Sequence, residues 1–154
     1  MMEPSARPIV FTAQSKRFFY CREAVCQFAF SRGVIPLNPF MAFGYFLGER
    51  TDRDTVRQAN DALVLRSDQL WVFGQDLSNG ILHEIGLAAE SGKIVRFFSI
   101  HDRPELIEEL HVDALRFEDE VRNKTGHGRE RLLKDLRANL PPSALRNRSL
   151  SLDV

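Results

Sequence analysis

A strand, a short loop and a helix follow one another over residues 67–93, and this unit limits the possible folds more than any other stretch. The apolar run from Leu70 to Phe73 predicts the strand, and helical spacing predicts a helix over 79–91. In open α/β sheets, ligands bind outside the carboxyl ends of the strands, where a loop feeds a helix N-terminus. We therefore expect the chemistry in the loop 75–80 and at Glu84, one turn beyond it.

The rest of the chain repeats this alternation of strand and helix. Short β-branched and aromatic runs predict strands, while amphipathic segments bounded by capping residues predict helices. The predicted strands are 9–13, 34–37, 94–98 and 114–117, and the predicted helices are 15–32, 52–66, 118–123 and 129–139, with a helical turn over 103–110. Pro36 cannot donate to a strand ladder, so the second strand is expected at an edge. The pattern predicts an α/β fold: an open parallel sheet of about five strands with helices on both faces, Rossmann-like or flavodoxin-like.

The length and charge of the chain set its class. A chain of 154 residues suits one hydrophobic core, so we expect a single α/β domain at 8–139, a disordered leader at 1–7 and a mobile tail at 140–154. Lysines and arginines number 21, as do aspartates and glutamates, so no net charge favours a nucleic acid polymer or a membrane surface. No apolar run approaches a bilayer span, and no signal-peptide pattern opens the chain. We expect a cytoplasmic protein.

Neither the cysteines nor the histidines are spaced for a metal site. Cys21 and Cys26 lie five positions apart, which fits neither a redox pair nor a pair of zinc ligands, and we expect both in the core. The four histidines show no ligand spacing. We therefore expect no metal and no other cofactor.

Residues 38–51 form an aromatic segment that is punctuated by glycines and has no clear period. Exposed aromatic surface is costly unless it meets a ligand, another subunit or the body of the domain. Three placements are therefore open: a loop folded on its own core, a lid over a ligand, or a subunit contact. Phe40, Phe43, Tyr45 and Phe46 could stack on a planar base or pack on a neighbouring subunit.

The helix start has two interpretations, and so does Glu84. Ser78, Asn79 and Gly80 can bind an anion, because free backbone amides favour phosphate and glycine permits close approach. Alternatively, Ser78 caps the helix and Gly80 only packs. Glu84 is either a reacting carboxylate that faces back toward the loop, or an acidic residue stabilised by the helix dipole.

Five residues of this unit match a known pattern at fixed spacing. The pattern S-x-G-x-x-x-E-x-G-x-A is formed by Ser78, Gly80, Glu84, Gly86 and Ala88. Asp68 precedes the strand before it, and Gly92-Lys93 and another strand follow. This arrangement resembles the nucleoside 2-deoxyribosyltransferase superfamily, including its 2′-deoxynucleoside 5′-monophosphate N-glycosidase branch, and looks like an uncharacterised bacterial and phage branch of the same superfamily. The resemblance covers residues 61–98 well and the remainder only by element order.

The resemblance implies a reaction and roles for single residues. In the enzymes of that family, the glutamate at the position of Glu84 is the nucleophile: it attacks the anomeric carbon of the deoxyribose and displaces the base. The glycosyl ester then passes to a second base or to water. A tyrosine or serine orients the nucleophile, for which Tyr20, Tyr45 and Ser15 are candidates. The resemblance also implies a homo-oligomer whose subunits complete each other's pockets.

One departure from the family pattern concerns the proton donor. Where the N-glycosidase branch carries an acid near the leaving base, this chain has Asn60. An amide cannot donate a titrating proton, so Asp61 or Asp76 takes that role, or the acid is missing.

A second departure concerns the loop after the first strand. The glycine- and arginine-rich loop of that branch is replaced by residues 12–17, where we expect Gln14 to bind the substrate. Ser15, Lys16 and Arg17 hold a phosphate there or form a solvated turn.

Together these observations predict a nucleoside or nucleotide as the small-molecule partner. We expect cleavage or base exchange at the N-glycosidic bond, with Glu84 as nucleophile, Asp68 and Asp76 as supporting acids, and Ser78 with Gly80 shaping the sugar or phosphate end. A second hypothesis is a non-catalytic module that keeps the pocket and binds a nucleotide, and Asn60 favours it. A third is an interaction protein that uses residues 40–47.

Overall fold

A computed structural model describes residues 6–44 and 50–146 of the chain. The strands are β1 (Ile9–Gln14), β2 (Ile35–Leu37), β3 (Gln69–Phe73), β4 (Asp76–Leu77), β5 (Ile94–Phe98), β6 (Glu109–Leu110) and β7 (Arg116–Phe117). The α-helices are α1 (Arg22–Ser31), α2 (Pro39–Ala42), α3 (Arg53–Arg66), α4 (Asn79–Glu90), α5 (Asp119–Thr125) and α6 (Arg129–Asn139). Segments of 3-10 helix are Lys16–Cys21, Pro104–Leu106, Val112–Ala114 and Pro142–Leu145. Among the described helices, none has the length and apolar character needed to cross a membrane.

The main sheet has the strand order β2-β1-β3-β5-β6. Its first four strands are parallel, with Phe11 level with Leu37 on one side and with Leu70 on the other. Strand β6 joins antiparallel, with Glu109 opposite Phe98. The prediction of an α/β fold with a five-stranded, mostly parallel sheet is confirmed, and so is the edge position of β2.

The fifth strand of the sheet is not the predicted one. Residues 114–117 contribute β7, which pairs with β4 in a separate two-stranded ladder. The strand that joins the main sheet is β6, which lies within the helical turn predicted over 103–110. Periodicity cannot settle such cases, because the partner of a two-residue strand is decided by packing rather than by local pattern.

Helices cover both faces of the sheet, as predicted. Val25 and Phe28 of α1 belong to the core on one face. Val64 of α3 and Ile81 and Ile85 of α4 belong to the core on the other. The chain leaves β1 toward β2 through α1 and returns to β3 through α3, so the strand order reverses between β1 and β3. Such a reversal opens a crevice at the carboxyl ends of the two strands, where ligands bind in open α/β sheets.

The helix predicted over 15–32 is interrupted in its first part. Lys16–Cys21 is a 3-10 helix with a non-helical residue, Phe18 (φ −112°, ψ 28°), and α1 follows it. Ser15 Oγ accepts from the amide two residues on, and Gln14 Nε2 donates to the Phe18 carbonyl. These side chains take backbone groups that a continuous α-helix would use for its own hydrogen bonds.

The core extends beyond the domain end predicted at residue 139. Leu140 and Ala144 are 7% and 8% exposed and belong to the same core as α3 and α4. His111 Nε2 lies 3.0 Å from the Leu145 carbonyl, which ties down the 3-10 helix Pro142–Leu145. The start of the predicted tail is therefore packed, because its apolar residues complete the core. Residues 147–154 of that tail and 1–5 of the predicted leader lie outside the described residues.

One ion pair fastens the antiparallel edge strand. Arg96 of β5 donates to both carboxylate oxygens of Glu109 on β6, at 2.8 and 2.7 Å. The Arg96 guanidinium also lies 5.0 Å from the ring centre of Trp71 and 5.3 Å from that of Phe98. The two charged side chains are 22% and 14% exposed, so water weakens this bidentate pair little.

The cysteines have the environment of core residues. Cys21 is 1% exposed and Cys26 is half-buried, and neither forms a disulfide. Burial raises the pKa of each thiol, which disfavours the reactive thiolate. The predicted core position of Cys21 is confirmed.

Candidate functional site

The crevice between β1 and β3 opens onto the start of α4. Strand β3 ends at Phe73, and Gly74 has a positive φ of 112° that turns the chain out of the sheet. Ser78 then caps α4, because its Oγ accepts a hydrogen bond from the Ile81 amide at 3.2 Å. The capping interpretation of Ser78 is confirmed. A Cβ added at Gly80 would meet Ser78 Oγ at 3.9 Å, an ordinary contact, so this position has room for a larger residue.

Glu84 lies in the second turn of α4, on the side that faces α3. Its neighbours on the helix, Ile81, Ile85 and Ala88, are buried, whereas Glu84 is half-buried. Its carboxyl group makes no hydrogen bond or ion pair within residues 6–44 and 50–146. Desolvation by the surrounding protein and, second, the Asp61 carboxylate raise the pKa of Glu84 to about 8. At neutral pH this carboxyl group is therefore mostly protonated.

Polar residues of two helices form what we call the α3–α4 seam. They are Asn60 and Asp61 of α3, and His83 and Glu84 of α4. His83 Nε2 lies 3.0 and 3.1 Å from the two carboxylate oxygens of Asp61. Asp61 also lies close enough to Glu84 to raise its pKa, and Asn60 precedes Asp61 in α3. The carbonyl oxygen of Asn60 is buried and has no hydrogen-bond partner in the part of the chain that the structure describes. Such an atom is uncommon in proteins, and a ligand donor can satisfy it.

A buried amide network stands at the carboxyl end of β1. Asn38, 3% exposed, donates to Thr12 Oγ1 at 3.0 Å and to Gln14 Oε1 at 2.8 Å. The Asn38 side-chain oxygen accepts from two amides of α2. Gln14 donates in turn to the Phe18 carbonyl at 2.7 Å. The substrate-binding role predicted for Gln14 is therefore corrected. The residue is 6% exposed, and its side-chain amide is bonded to Asn38 and to the Phe18 carbonyl.

Acidic residues from the C-terminal part of the chain border the same crevice. Glu118, which precedes α5, accepts from Ser15 Oγ at 3.3 Å, and the Arg17 guanidinium lies 3.8 Å from it. Glu120 accepts from the Asn79 amide at 3.2 Å, in the first turn of α4. Three residues predicted to bind substrate, Ser15, Arg17 and Asn79, thus face protein carboxylates.

Asp68 does not lie at this crevice. Its carboxylate accepts from the Ile9 amide at 2.8 Å, at the start of β1. Strand β3 begins at the next residue and runs for five residues to the crevice, which separates the two edges of the sheet by roughly 16 Å. The catalytic role predicted for Asp68 is therefore wrong. A residue that precedes a parallel strand belongs to the edge opposite the ligand, and Asp68 links the starts of two strands there.

Asp76 is already paired. Arg116 donates to its two carboxylate oxygens at 3.0 and 3.2 Å, across the ladder between β4 and β7. Both oxygens of this carboxylate are engaged in joining β4 to β7. The catalytic role of Asp76 stays a prediction, and of the two candidate acids Asp61 is the one whose charge acts on Glu84.

The aromatic segment is described only in part. Phe40 is half-buried and packs edge-on against Phe19, with ring centres 5.5 Å apart, which favours a segment folded on its own domain. Tyr45 and Phe46 lie outside the described residues. Tyr20, a candidate to orient Glu84, is 64% exposed and belongs to the segment that leads into α1, on the other face of the sheet.

Some residues of the site do not follow from the sequence. In the sequence, His83, Glu118 and Glu120 have the pattern of solvent-exposed charges. Only tertiary contacts bring His83 to the seam and the two glutamates to the crevice. One signal was available for the buried network. Asn38 precedes Pro39, and an asparagine before a proline in the first turn is a common helix start, which could have predicted the cap of α2.

The seam has the groups needed for proton transfer and nucleophilic attack. A protonated carboxyl group beside a second carboxylate supplies both a nucleophile and a proton. No cluster of three or more potential metal-ligating side chains exists within the described ranges.

Comparison with known proteins gives one match. Residues 11–98, more than half of the chain, match the model of a family described as a domain of unknown function (DUF7768). The match runs from β1 to the end of β5 and includes the α3–α4 seam, whereas β6, β7, α5 and α6 follow it. No curated protein matches the sequence.

Proposed function

Because this chain belongs to the DUF7768 family, whose description gives no activity, we propose a function from its own residues. The protein breaks or exchanges the N-glycosidic bond of a nucleoside or nucleotide, with Glu84 as the nucleophile. The observation that carries the proposal is Glu84 itself: half-buried on the side of α4 that faces α3, unpaired among the described residues, with a pKa raised to about 8. Perturbed carboxyl groups in clefts are typical of active sites. The resemblance of the surrounding motif to nucleoside 2-deoxyribosyltransferases supports this reaction class.

The first step balances within the seam. A Glu84 carboxylate oxygen bonds to the anomeric carbon, and the bond from that carbon to the base nitrogen breaks, its electron pair going to the base. The proton that Glu84 carries at neutral pH leaves as the carboxylate attacks, and Asp61 passes it to the departing base. The products are a glycosyl ester of Glu84 and a neutral base.

The second step restores the protein. Water or a second base attacks the anomeric carbon, and the ester bond to Glu84 breaks with its electron pair going to the carboxylate. The proton lost by the attacking group returns through Asp61 to Glu84. The Asp61–Glu84 pair therefore holds one proton before the first step, none in the glycosyl ester, and one again after the second step.

Asn60 and His83 assist without taking part in proton transfer to the base. The buried carbonyl oxygen of Asn60 accepts a hydrogen bond from an N–H or O–H group of the ligand. His83 holds Asp61 from the solvent side of the seam. Ser78 contributes by fixing the start of α4, from which Glu84 projects.

A base-release assay tests the proposal. The wild type is incubated with nucleosides and deoxynucleosides, with and without a 5′-phosphate, and the free base is measured by chromatography. We expect base from the wild type and from Glu90→Gln, an exposed position on the same helix, but not from Glu84→Gln. Equal release by Glu84→Gln and the wild type, or no release by the wild type from any of these substrates, would contradict the proposal.

The pH dependence of base release tests whether the Asp61–Glu84 pair must carry one proton in order to react. Because the active pair holds one proton and the pKa of Glu84 is about 8, kcat/KM should be level from pH 6 to 7.5. Above pH 8 it should fall by about tenfold per pH unit, as the pair loses its proton. Initial rates between pH 6 and 10 measure this. A rate that rises through pH 8 would mean that ionised Glu84 reacts without transferring a proton to the base.

A second candidate function is favoured by Asn60. An asparagine in place of an acid fits a pocket that binds a nucleoside or nucleotide and leaves it intact. Calorimetric binding without base release over long incubation would support this non-catalytic module, and measurable turnover would exclude it.

We also propose that the protein is a cytoplasmic homo-oligomer. Met41, within the aromatic segment, is 53% exposed, and subunit contacts typically cover large apolar side chains of this kind. Light scattering over a range of concentrations should give a mass above that of one chain. A mass that stays at one chain would contradict this expectation.

A further inference from the structure

Two glutamates lie where the crevice would otherwise meet a phosphate. The available donors are the Asn79 amide in the first turn of α4 and, after β1, the Ser15 hydroxyl and the Arg17 guanidinium. Glu120 accepts from the Asn79 amide at 3.2 Å. Glu118 accepts from Ser15 Oγ at 3.3 Å and lies 3.8 Å from the Arg17 guanidinium. Each of these three donors therefore already has a carboxylate beside it.

The fold holds Glu118 in this place. Its backbone amide donates to the Leu77 carbonyl at 2.9 Å, directly before the cap of α4. The preceding strand, β7, is paired with β4, and its Arg116 amide donates to the Gln75 carbonyl at 2.8 Å. The Glu118 side chain is 14% exposed. To bind Ser15 and Arg17, a phosphate would have to displace the Glu118 carboxylate, and the ladder between β4 and β7 holds the backbone of Glu118 in position.

The charges around these donors also oppose an anion. Glu118 and Glu120 bring two negative charges to the mouth of the crevice. Arg17 lies near Glu118, but its side chain is 65% exposed, so water screens its positive charge. The Arg116 guanidinium is engaged with Asp76. A phosphate dianion entering here meets like charges at close range, and its own charge doubles the repulsion.

We propose that Glu118 and Glu120 set the ligand class of the site, which admits uncharged nucleosides and rejects 5′-monophosphates. That the admitted ligand is a nucleoside rests on the proposed function, whereas the rejection of phosphate does not. Both glutamates lie outside the residues 11–98 that match the family. The selectivity therefore comes from the C-terminal part of the chain and not from the matched region.

Titration with inorganic phosphate tests the rejection by itself. Calorimetry compares the wild type with Glu120→Gln, an exposed position, and with the double variant Glu118→Gln/Glu120→Gln. The matched control is Asp119→Asn, whose side chain lies between the two in sequence and is 82% exposed. We expect the dissociation constant for phosphate to be at least about tenfold lower in both glutamine variants than in the wild type and the control, which should not reach saturation. Phosphate binding by the wild type as tight as by the variants, or no gain in Glu120→Gln, would overturn the proposal.

A second arm separates this proposal from the proposed function. A nucleoside and its 5′-monophosphate are titrated into Glu84→Gln, with and without the Glu120→Gln change. We expect the nucleoside to bind equally well in both proteins, and the monophosphate to bind only when Glu120 is replaced. If phosphate rejection holds in the first arm but no nucleoside binds or reacts, the proposed function fails and the role of the glutamates stands. If nucleoside and monophosphate bind equally with Glu120 present, the selectivity fails while the proposed function stands.

Discussion

Replacing Glu84 with glutamine should abolish base release and, in the same variant, raise the free energy of unfolding. Glutamine has the shape of the protonated carboxyl group but lacks a nucleophilic carboxylate, so we expect the rate to fall by at least about 10³-fold. The stability rises because the wild type must hold an ionisable group in a place that disfavours its ionised form. Burial there raises the pKa of Glu84 from 4.5 to about 8.

The gain in stability should grow with pH. Because the pKa of Glu84 is raised in the folded state, that state binds a proton which the unfolded chain releases above about pH 4.5. The wild type therefore loses stability as the pH rises from that value toward 8. We expect glutamine to stabilise the fold by roughly 1 kcal/mol at pH 5 and roughly 3 kcal/mol at pH 7.

Urea unfolding at several pH values measures this effect. Glu90→Gln, exposed on the same helix, is the control and should change the free energy of unfolding little at any pH. A gain in Glu84→Gln that is independent of pH, or that is largest at pH 5, would show that burial of an ionisable Glu84 is not its cause. Loss of activity together with a gain in stability would be the expected result for a residue kept for chemistry rather than for folding.

Replacing Arg96 with methionine should cost roughly 3 kcal/mol of the free energy of unfolding. Methionine retains part of the packing over Trp71 and Phe98, but it leaves the Glu109 carboxylate, 14% exposed, without its bidentate partner. The Glu109 charge stays in this largely water-shielded place after its arginine partner is removed, which adds to the loss of the ion pair itself. Urea unfolding at pH 7 measures the change.

Two further variants separate the causes. Arg96→Met combined with Glu109→Leu should recover a large part of the loss, because no charge then remains buried. Arg103→Met removes the exposed pair with Glu105 and should leave the free energy of unfolding nearly unchanged. If the double variant is no more stable than Arg96→Met, the Glu109 charge that remains in Arg96→Met is not the main cost.

The long periodic segments of this chain carried most of the information about its fold. The strand over 94–98 and the helix over 129–139 have the predicted bounds, because each has several apolar positions in register with its neighbours. The strands β6 and β7, two residues each, could not be assigned to a sheet. In such short strands the partner depends on contacts such as Arg96 with Glu109, and these join positions 13 residues apart.

The candidate site likewise contains residues whose positions follow from local spacing and residues that only distant contacts bring to the site. Ser78 as a cap follows from spacing within one helix, and so does the position of Glu84 beside the buried residues Ile81, Ile85 and Ala88. Asp68 was misplaced because a motif gives residue order without giving the edge of the sheet, although its position before β3 defines that edge. Glu118 is 103 residues from Ser15, and a contact over that distance leaves no local pattern.

The helix that bears Glu84 depends on residues beyond the matched region for its cover. Leu77 and Ile81 share one buried cluster with Leu115, Phe117 and other apolar residues that follow residue 98. The region that matches the family is therefore not expected to fold alone, because cutting the chain after β5 would expose that apolar face to water. Because these later residues also border the crevice, a change among them can alter the crevice without any change to the helix that bears Glu84.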